Sequence, residues 1–460
     1  MKKIIITLLV AACAFLCCVL VSVSTGGLLP ADVSTADAIE VSTENTATVI
    51  PTGTETADEG AVVPAGEAQP TSEAEPADTS ETEPVPAEAP EPETAAEPAT
   101  EPEPEEDPEA ALEAEALKIL KSMTLKQKVG QLFMVTPEAI KGTKTATKFS
   151  TKMKSTMTKY KLGGVIMFAR NIKTPKQITT FNKKLNKTSL DYSGLPLFIA
   201  VDEEGGRVTR IASNPSFDEI HMKNMLAIGK KNKTSKAKYV GKTIGAYLKK
   251  YGFNVDLAPV ADCFTNPKNT VIGDRSFGSD PDLVSRMVSA EIDGFHTQKV
   301  MTAIKHYPGH GDTQADTHKQ TVKVTKSWAA LKKVELKPFI YNLDKTDMIM
   351  ASHIRCTGVS KGIAPASISQ KMIQKKLRNT LGYDGVVITD SMAMKAISDK
   401  YTSAQAAIKA LNAGCDIILC PVSLSSAYDG VLKAVKSGEI SRERLDESVL
   451  RIIKLKLKYS

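Results

Sequence analysis

The sequence predicts a (β/α)8 barrel of the TIM type, and three observations carry that prediction. Eight short apolar runs follow one another between residues 118 and 460, separated by longer amphipathic stretches. The runs are continuously apolar rather than alternating, as strands buried on both faces of a parallel sheet must be. Chemically capable side chains gather just beyond the runs, at the end where such a barrel collects its reactive groups. A doubly wound open sheet is the competing fold, but no Gly-rich phosphate fingerprint follows the first runs.

In chain order the runs are 131–135, 164–168, 197–201, 255–260, 301–304, 348–351, 385–389 and 416–419. Between them lie stretches with helical spacing of apolar residues, such as 282–298 and 403–411. The run ends carry Arg170-Asn171, Asp202-Glu203-Glu204, Asp262, Lys305-His306, Ser352-His353 and Asp390-Ser391.

Two segments precede the barrel expected over 118–460. Residues 1–24 open with Met1-Lys2-Lys3 and continue as an apolar run from Ile4 to Val23. A basic start followed by a hydrophobic core reads as a secretory signal or membrane anchor. Three fates stay open: lipidation at Cys13 within Val10-Ala11-Ala12-Cys13, cleavage near Ala36-Asp37-Ala38, or retention as a span of about 20 residues. Residues 25–112 are Pro, Glu, Ala and Thr with scarcely a large apolar side chain, and no Lys or Arg lies between Lys3 and Lys118. Such a stretch cannot bury enough apolar surface to offset chain entropy, so a disordered, self-repelling tether is expected.

The formal charge of +6 conceals a strong asymmetry. Residues 118–460 hold 57 Lys and Arg against 28 Asp and Glu. A surface so basic favours polyanions, and for an exported protein a cell-wall polymer or anionic lipid suits better than nucleic acid. The aromatic-and-basic pattern of nucleic-acid modules is absent from the sequence. Cys263, Cys356, Cys415 and Cys420 match no zinc spacing, and buried free thiols are expected rather than a disulfide framework.

The stretch 305–318 holds three of the six histidines. Lys305 and His306 stand at a run end and can donate to neutral hydroxyls. Asp316 precedes His318 by two residues; if it orients the ring and favours the protonated form, His318 becomes a proton donor near neutral pH. Zinc ligation by His306, His310 and the nearby acids is a rival reading. Pro308, Gly309 and Gly311 break the helix that i, i+4 ligands normally need, so no metal or other cofactor is expected. An ordinary solvated loop is the third reading. Asp390, after 385–389, suits a nucleophile or a stabiliser of positive charge, and equally a helix N-cap. Asp202 can accept from hydroxyls, Arg210 can reach back across its turn, and Arg275 lies in a loop bounded by Gly273 and Gly278. Each arginine can instead pair with a local acid.

Taken together, Lys305-His306-Tyr307-Pro308-Gly309-His310-Gly311-Asp312-Thr313 with Asp316-Thr317-His318 resembles the signature of bacterial β-N-acetylglucosaminidases of glycoside hydrolase family 3. The resemblance extends in order through Gly163–Phe168, Asp202–Arg210, Asp274–Phe277 and Ile388–Met392. It implies Asp390 as nucleophile and His318, oriented by Asp316, as general acid/base. It further implies that Asp202, Arg210, Arg275, Lys305 and His306 hold an N-acetylglucosamine ring. Departures are small: Thr317 where serine is frequent, Tyr307 where phenylalanine is usual, and Glu203 where glutamine is often found. A monomeric, single-domain enzyme acting on wall-derived glycans, with phosphate as a possible acceptor, is the resulting expectation. A family 3 β-glucosidase and a non-catalytic glycan-binding surface protein are the alternatives.

Overall fold

In a computed structural model the described residues are 107–313, 322–360, 362 and 364–460. The leader and tether residues 25–106 lie outside them, as do Asp316 and His318; residues 107–112, expected to close the tether, instead open a helix whose N-cap is Asp107. Among the described residues the ten strands are β1 (Phe133–Val135), β2 (Gly164–Ile166), β3 (Phe198–Val201), β4 (Val255–Asp256), β5 (Met301–Tyr307), β6 (Lys323–Val324), β7 (Met348–Ala351), β8 (Arg355–Cys356), β9 (Val386–Thr389) and β10 (Ile418–Leu419). Eight form one parallel sheet in the order β10-β1-β2-β3-β4-β5-β7-β9. Its two ends meet: Ile388 bridges Ile417, Thr389 N donates to Ile417 O at 2.9 Å, and Met392 N to Leu419 O at 2.9 Å. The sheet is therefore curled into a near-barrel with helices between its strands, consistent with a TIM-like α/β fold.

Each apolar run supplies one strand, and every residue of these eight strands is buried. Burial on both faces is what removes the alternation. The exception in length is β5, which continues past Ile304 to Tyr307. Ala261 N donates to Lys305 O at 2.7 Å and Ser352 N to Tyr307 O at 2.9 Å, so neighbours on both sides extend the ladder. Lys305 and His306 thus leave from within a strand rather than from a loop. The separate β6–β8 pair is too short to have an apolar signature.

The helices obey local rules. In Pro175–Ser193, Thr174 caps the start by accepting from Gln177 N, proline occupies the first turn, and Gly194 closes the end at φ 70°. Its buried residues Ile178, Phe181, Leu185 and Tyr192 recur at helical spacing. The first helix among the described residues, Pro108–Ser122, starts ahead of residue 118, with Asp107 accepting from Glu109 N at 3.0 Å. The last, Arg442–Lys458, buries Lys456, whose Nζ donates to Gln131 Oε1 at 2.7 Å and Gly163 O at 3.0 Å. Those acceptors precede β1 and β2, so this contact lies at the N-terminal end of the barrel, opposite the end bearing the reactive groups. Among the described residues no helix is long and apolar enough to cross a membrane.

Candidate active site

The C-terminal ends of β3, β4 and β5 bring together a chain of alternating charges. Glu204, just past β3, receives Arg275 through Nε and Nη2, both at 2.7 Å, and lies 2.6 Å from Lys305 Nζ. Lys305 Nζ also donates to Asp202 Oδ1 at 2.8 Å. Arg275 Nη2 sits 3.4 Å from His306 Nε2, and His306 Nδ1 lies 2.6 Å from Asp262 Oδ2. Because a carboxylate only accepts, Nδ1 donates to Asp262, which leaves Nε2 to accept from the guanidinium. Asp262 Oδ1 takes the backbone N–H groups of His306 at 3.2 Å and His310 at 2.5 Å.

Electrostatics keep this network charged despite burial. Burial works to raise the Glu204 carboxyl pKa, but Arg275 and Lys305 outweigh it and hold the group far below its usual range. Asp262 is likewise held low: burial opposes ionisation, and the electrostatic pull and hydrogen bond of the His306 ring, with the backbone N–H of His310, overcome it. Burial pulls Lys305 down, yet Asp202 and Glu204 leave it raised overall. Collecting such groups in a nearly dry site costs several kcal/mol per ion unless each is paired, and each is. Asp202, 18% exposed at its side chain against 2% for Lys305 and Glu204, is the network's open edge. That edge presents donors and acceptors in fixed positions, an arrangement that hydroxyl groups can bond to.

Glu203 faces the other way. Its Oε2 accepts from Arg210 N at 2.6 Å and Ile211 N at 3.0 Å; its Oε1 accepts from Ala212 N and Tyr247 Oη, each at 3.0 Å. It staples the loop after β3. Arg210 is held by its backbone, and among the described residues its guanidinium reaches only the Thr209 carbonyl, at 3.4 Å. The crossing to the 270–275 loop is made by Arg207 instead, through Asp274 Oδ1 and the carbonyls of Thr270 and Val271, all at 2.9 Å.

Asp390 follows β9 and is half-buried. Its N donates to Ala351 O at 2.8 Å, and its Oδ1 accepts from Ser391 N at 2.7 Å. His353, buried at the end of β7, holds the next residue: Nε2 lies 2.8 Å from Ser391 O and Nδ1 2.7 Å from Ser367 Oγ. A carbonyl only accepts, so Nε2 carries the proton and Nδ1 accepts from the serine hydroxyl. β9 runs parallel to β7, and β7 parallel to β5, so Asp390 leaves β9 at the end of the sheet where β5 delivers Lys305 and His306. Asp390 therefore opens on the same end of the barrel as the Lys305 network.

The glycines around His310 have separate reasons. Gly309 adopts φ 121°, which L side chains rarely reach, while a Cβ on Gly311 would lie 1.7 Å from Cys263 O. His310 itself is fixed by Thr313 Oγ1, 2.7 Å from Nδ1, and burial with the nearby His306 lowers its pKa. Among the described residues no group of three or more His, Cys, Asp or Glu is arranged to hold a metal ion. Cys263, Cys356, Cys415 and Cys420 are buried free thiols. Burial pushes Cys356, Cys415 and Cys420 up to about 12, so none of these three offers a thiolate at neutral pH.

The structure thus unites Asp202, Arg275, Lys305 and His306, places Asp390 at the same mouth, and leaves the Arg210 guanidinium apart from the network. Nothing in the sequence alone assigns a role to Glu204, Asp262 or His353. Their position at run ends was the available signal.

The model of the glycosyl hydrolase family 3 N-terminal domain matches residues 124–455. The chain belongs to glycosyl hydrolase family 3. It is 34% identical over 324 residues to beta-hexosaminidase A of Pseudoalteromonas piscicida, a match covering 66% of this chain and 54% of that protein. With the beta-hexosaminidase of Tolumonas auensis it shares 35% over 283 residues, 61% of this chain and 81% of the relative. Among solved structures it is similar to a family 3 β-N-acetylglucosaminidase from Paenibacillus sp. FPU-7: TM-score 0.69, 36% identity, 74% of this chain and 63% of that one.

Proposed function

We propose that the protein is a retaining exo-β-N-acetylglucosaminidase that removes terminal β-linked N-acetylglucosamine, with wall-derived glycans as its source of substrate. The observation that carries this reading is the joint placement of Asp390 and the Lys305-centred network at one barrel mouth. The names and identities of the beta-hexosaminidase relatives support the same substrate class.

In the proposed reaction the ring sits against Asp202, Lys305, His306 and Arg275, with Arg210 completing the set when substrate is bound. The Asp390 carboxylate attacks the anomeric carbon. The glycosidic C–O bond breaks, its electron pair passes to the departing oxygen, and the His318 imidazolium gives that oxygen its proton. A covalent glycosyl-enzyme results. Water then attacks the same carbon, His318 takes the water's proton, and Asp390 is released. Asp316 orients His318 and favours its charged form for the first step. Most retaining glycosidases use a second carboxylate in this place. A neutral imidazole repels an anionic acceptor less, so phosphate competes with water in the second step. The leader, read as an export signal or anchor, puts this activity at the cell surface.

A panel of aryl glycosides, β-N-acetylglucosaminide beside β-glucoside, with and without phosphate, tests the reading. Preference for the N-acetylated sugar is expected; preference for the glucoside would move the protein to the β-glucosidase branch, and no turnover of either would favour a glycan-binding role. Asp390→Ala abolishes turnover if the nucleophile is correctly placed, and retained activity would overturn that placement.

A further inference from the structure

Positive charge is not spread evenly over the chain. Residues 141–250 hold 24 Lys and Arg against six Asp and Glu, whereas residues 251–460 hold 29 against 21. Of the six acids, Glu203 and Glu204 are buried and Asp202 is engaged by Lys305. Nineteen of the 21 lysines in this part are exposed. The fold concentrates many of them on three helices, Thr151–Tyr160, Pro175–Ser193 and Thr234–Lys250, which lie in the connections after β1, β2 and β3. Each helix turns its apolar stripe inward, exemplified by Met153 and Met157, Phe181 and Leu185, Val240 and Ile244. Lysines such as Lys152, Lys159, Lys183, Lys184, Lys238 and Lys242 are left facing water. None of these six has a carboxylate partner within salt-bridge distance among the described residues; nearby pairs are confined to Lys187–Asp191 and Lys250–Glu219.

We infer that this flank is a docking surface for a linear phosphodiester polymer, independent of the sugar-cleaving site. Three features select that partner. The three helices follow successive strands of a curled sheet, so the basic face is convex. A flat bilayer touches such a face only along a tangent, whereas a flexible chain can follow it across all three helices. The cations are lysines, compact mobile charges without the fixed fork by which arginine selects one group, so they suit a repeating charge. Of the exposed large apolar side chains only Leu190 and Tyr239 lie on these helices, too few to insert into lipid as an amphipathic surface does. Docking along the flank holds the enzyme on an anionic matrix and leaves the barrel mouth, built from strand ends, open.

The test uses full-length protein and synthetic poly(glycerol phosphate), with vesicles of phosphatidylglycerol as the competing surface. One variant combines Lys183→Glu, Lys184→Glu, Lys238→Glu and Lys242→Glu. A control makes the same charge change elsewhere: Lys332→Glu, Lys333→Glu, Lys433→Glu and Lys436→Glu, all exposed. The flank variant is expected to bind the polymer at least about tenfold more weakly at ~0.15 M salt, with a shallower salt dependence. The control changes affinity by no more than about threefold on the same footing. Both retain wild-type melting temperature and wild-type turnover of an aryl β-N-acetylglucosaminide, so a failure of binding stays separate from any failure of the glycosidase reading. Equal weakening in flank and control variants, unchanged binding in the flank variant, or binding to vesicles but not to polymer would each overturn the inference.

Discussion

His353 is tied to Asp390, the proposed nucleophile, through one intervening residue. Its ring spans Ser367 Oγ and Ser391 O, and Ser391 in turn donates its N–H to Asp390 Oδ1. Removing the ring frees the peptide that holds Asp390, the proposed nucleophile, and a misplacement near 1 Å costs on the order of 10²-fold in rate. His353→Ala is therefore expected to lower kcat on an aryl β-N-acetylglucosaminide by about 10- to 100-fold while KM changes by no more than about threefold. Ser367→Ala removes only the donor to Nδ1 and lowers kcat less. A KM effect larger than the kcat effect would place His353 in substrate binding instead. At this scale the sequence was half-readable. Lys305, His306, Asp202 and Asp390 announce chemistry because charged groups at a buried run end need a reason. Their partners do not announce themselves: Glu204 reaches Arg275 across 71 residues, a pairing that only the tertiary fold creates. The same gap hid the exchange between Arg207 and Arg210, two arginines three apart in one turn with nothing local to separate them.

Elements were easier to read than their ends. The eight strands follow from continuous apolar runs, but β5 outruns its own pattern. Lys305 and His306 look like loop residues until the fold supplies their partners, Asp202 and Glu204 for the ammonium and Asp262 for the ring. The helices Thr234–Lys250 and Pro281–His296 carry a second feature that spacing only hints at. Gly241 and Gly294 sit mid-helix, where glycine costs about 1 kcal/mol against alanine and so implies a packing reason. The reason is mutual approach: a Cβ on Gly241 would lie 2.1 Å from Glu291 O, and one on Gly294 2.2 Å from Lys238 O. Gly241→Ala and Gly294→Ala should each destabilise the fold by about 1–3 kcal/mol through overpacking, despite the gain in helix propensity. Chemical denaturation measures this directly; a stabilised alanine variant would mean the helices can part without loss.

Across the whole molecule, buried titratable groups set opposing pH dependences. Asp262, Glu204 and Asp416 have folded-state pKa values below their ordinary 3.8, 4.5 and 3.8, so the stability they contribute is present above those values and lost as pH falls below them. For Asp416, burial opposes ionisation and Arg378, Arg444 and Arg451 overcome it. Lys456 acts at the other end. Burial drops its pKa from 10.5 to about 7, although it keeps two hydrogen bonds. Between those values the unfolded chain binds a proton that the native state has released, so stability rises with pH across that window. Glu291 opposes this, because burial raises its pKa well above 4.5 and neither carboxyl oxygen has a hydrogen-bond partner among the described residues. Lys456→Met isolates the lysine. The loss of contacts to Gln131 and Gly163 shifts the variant equally at every pH, but the window of rising stability disappears. From about pH 6 to about pH 10 the difference between the two proteins should move in the wild type's favour by on the order of a few kcal/mol. Parallel stability curves for wild type and Lys456→Met would show that the ammonium stays charged under the barrel, held there by the Phe198 ring 4.7 Å away and its two acceptors rather than driven neutral by burial.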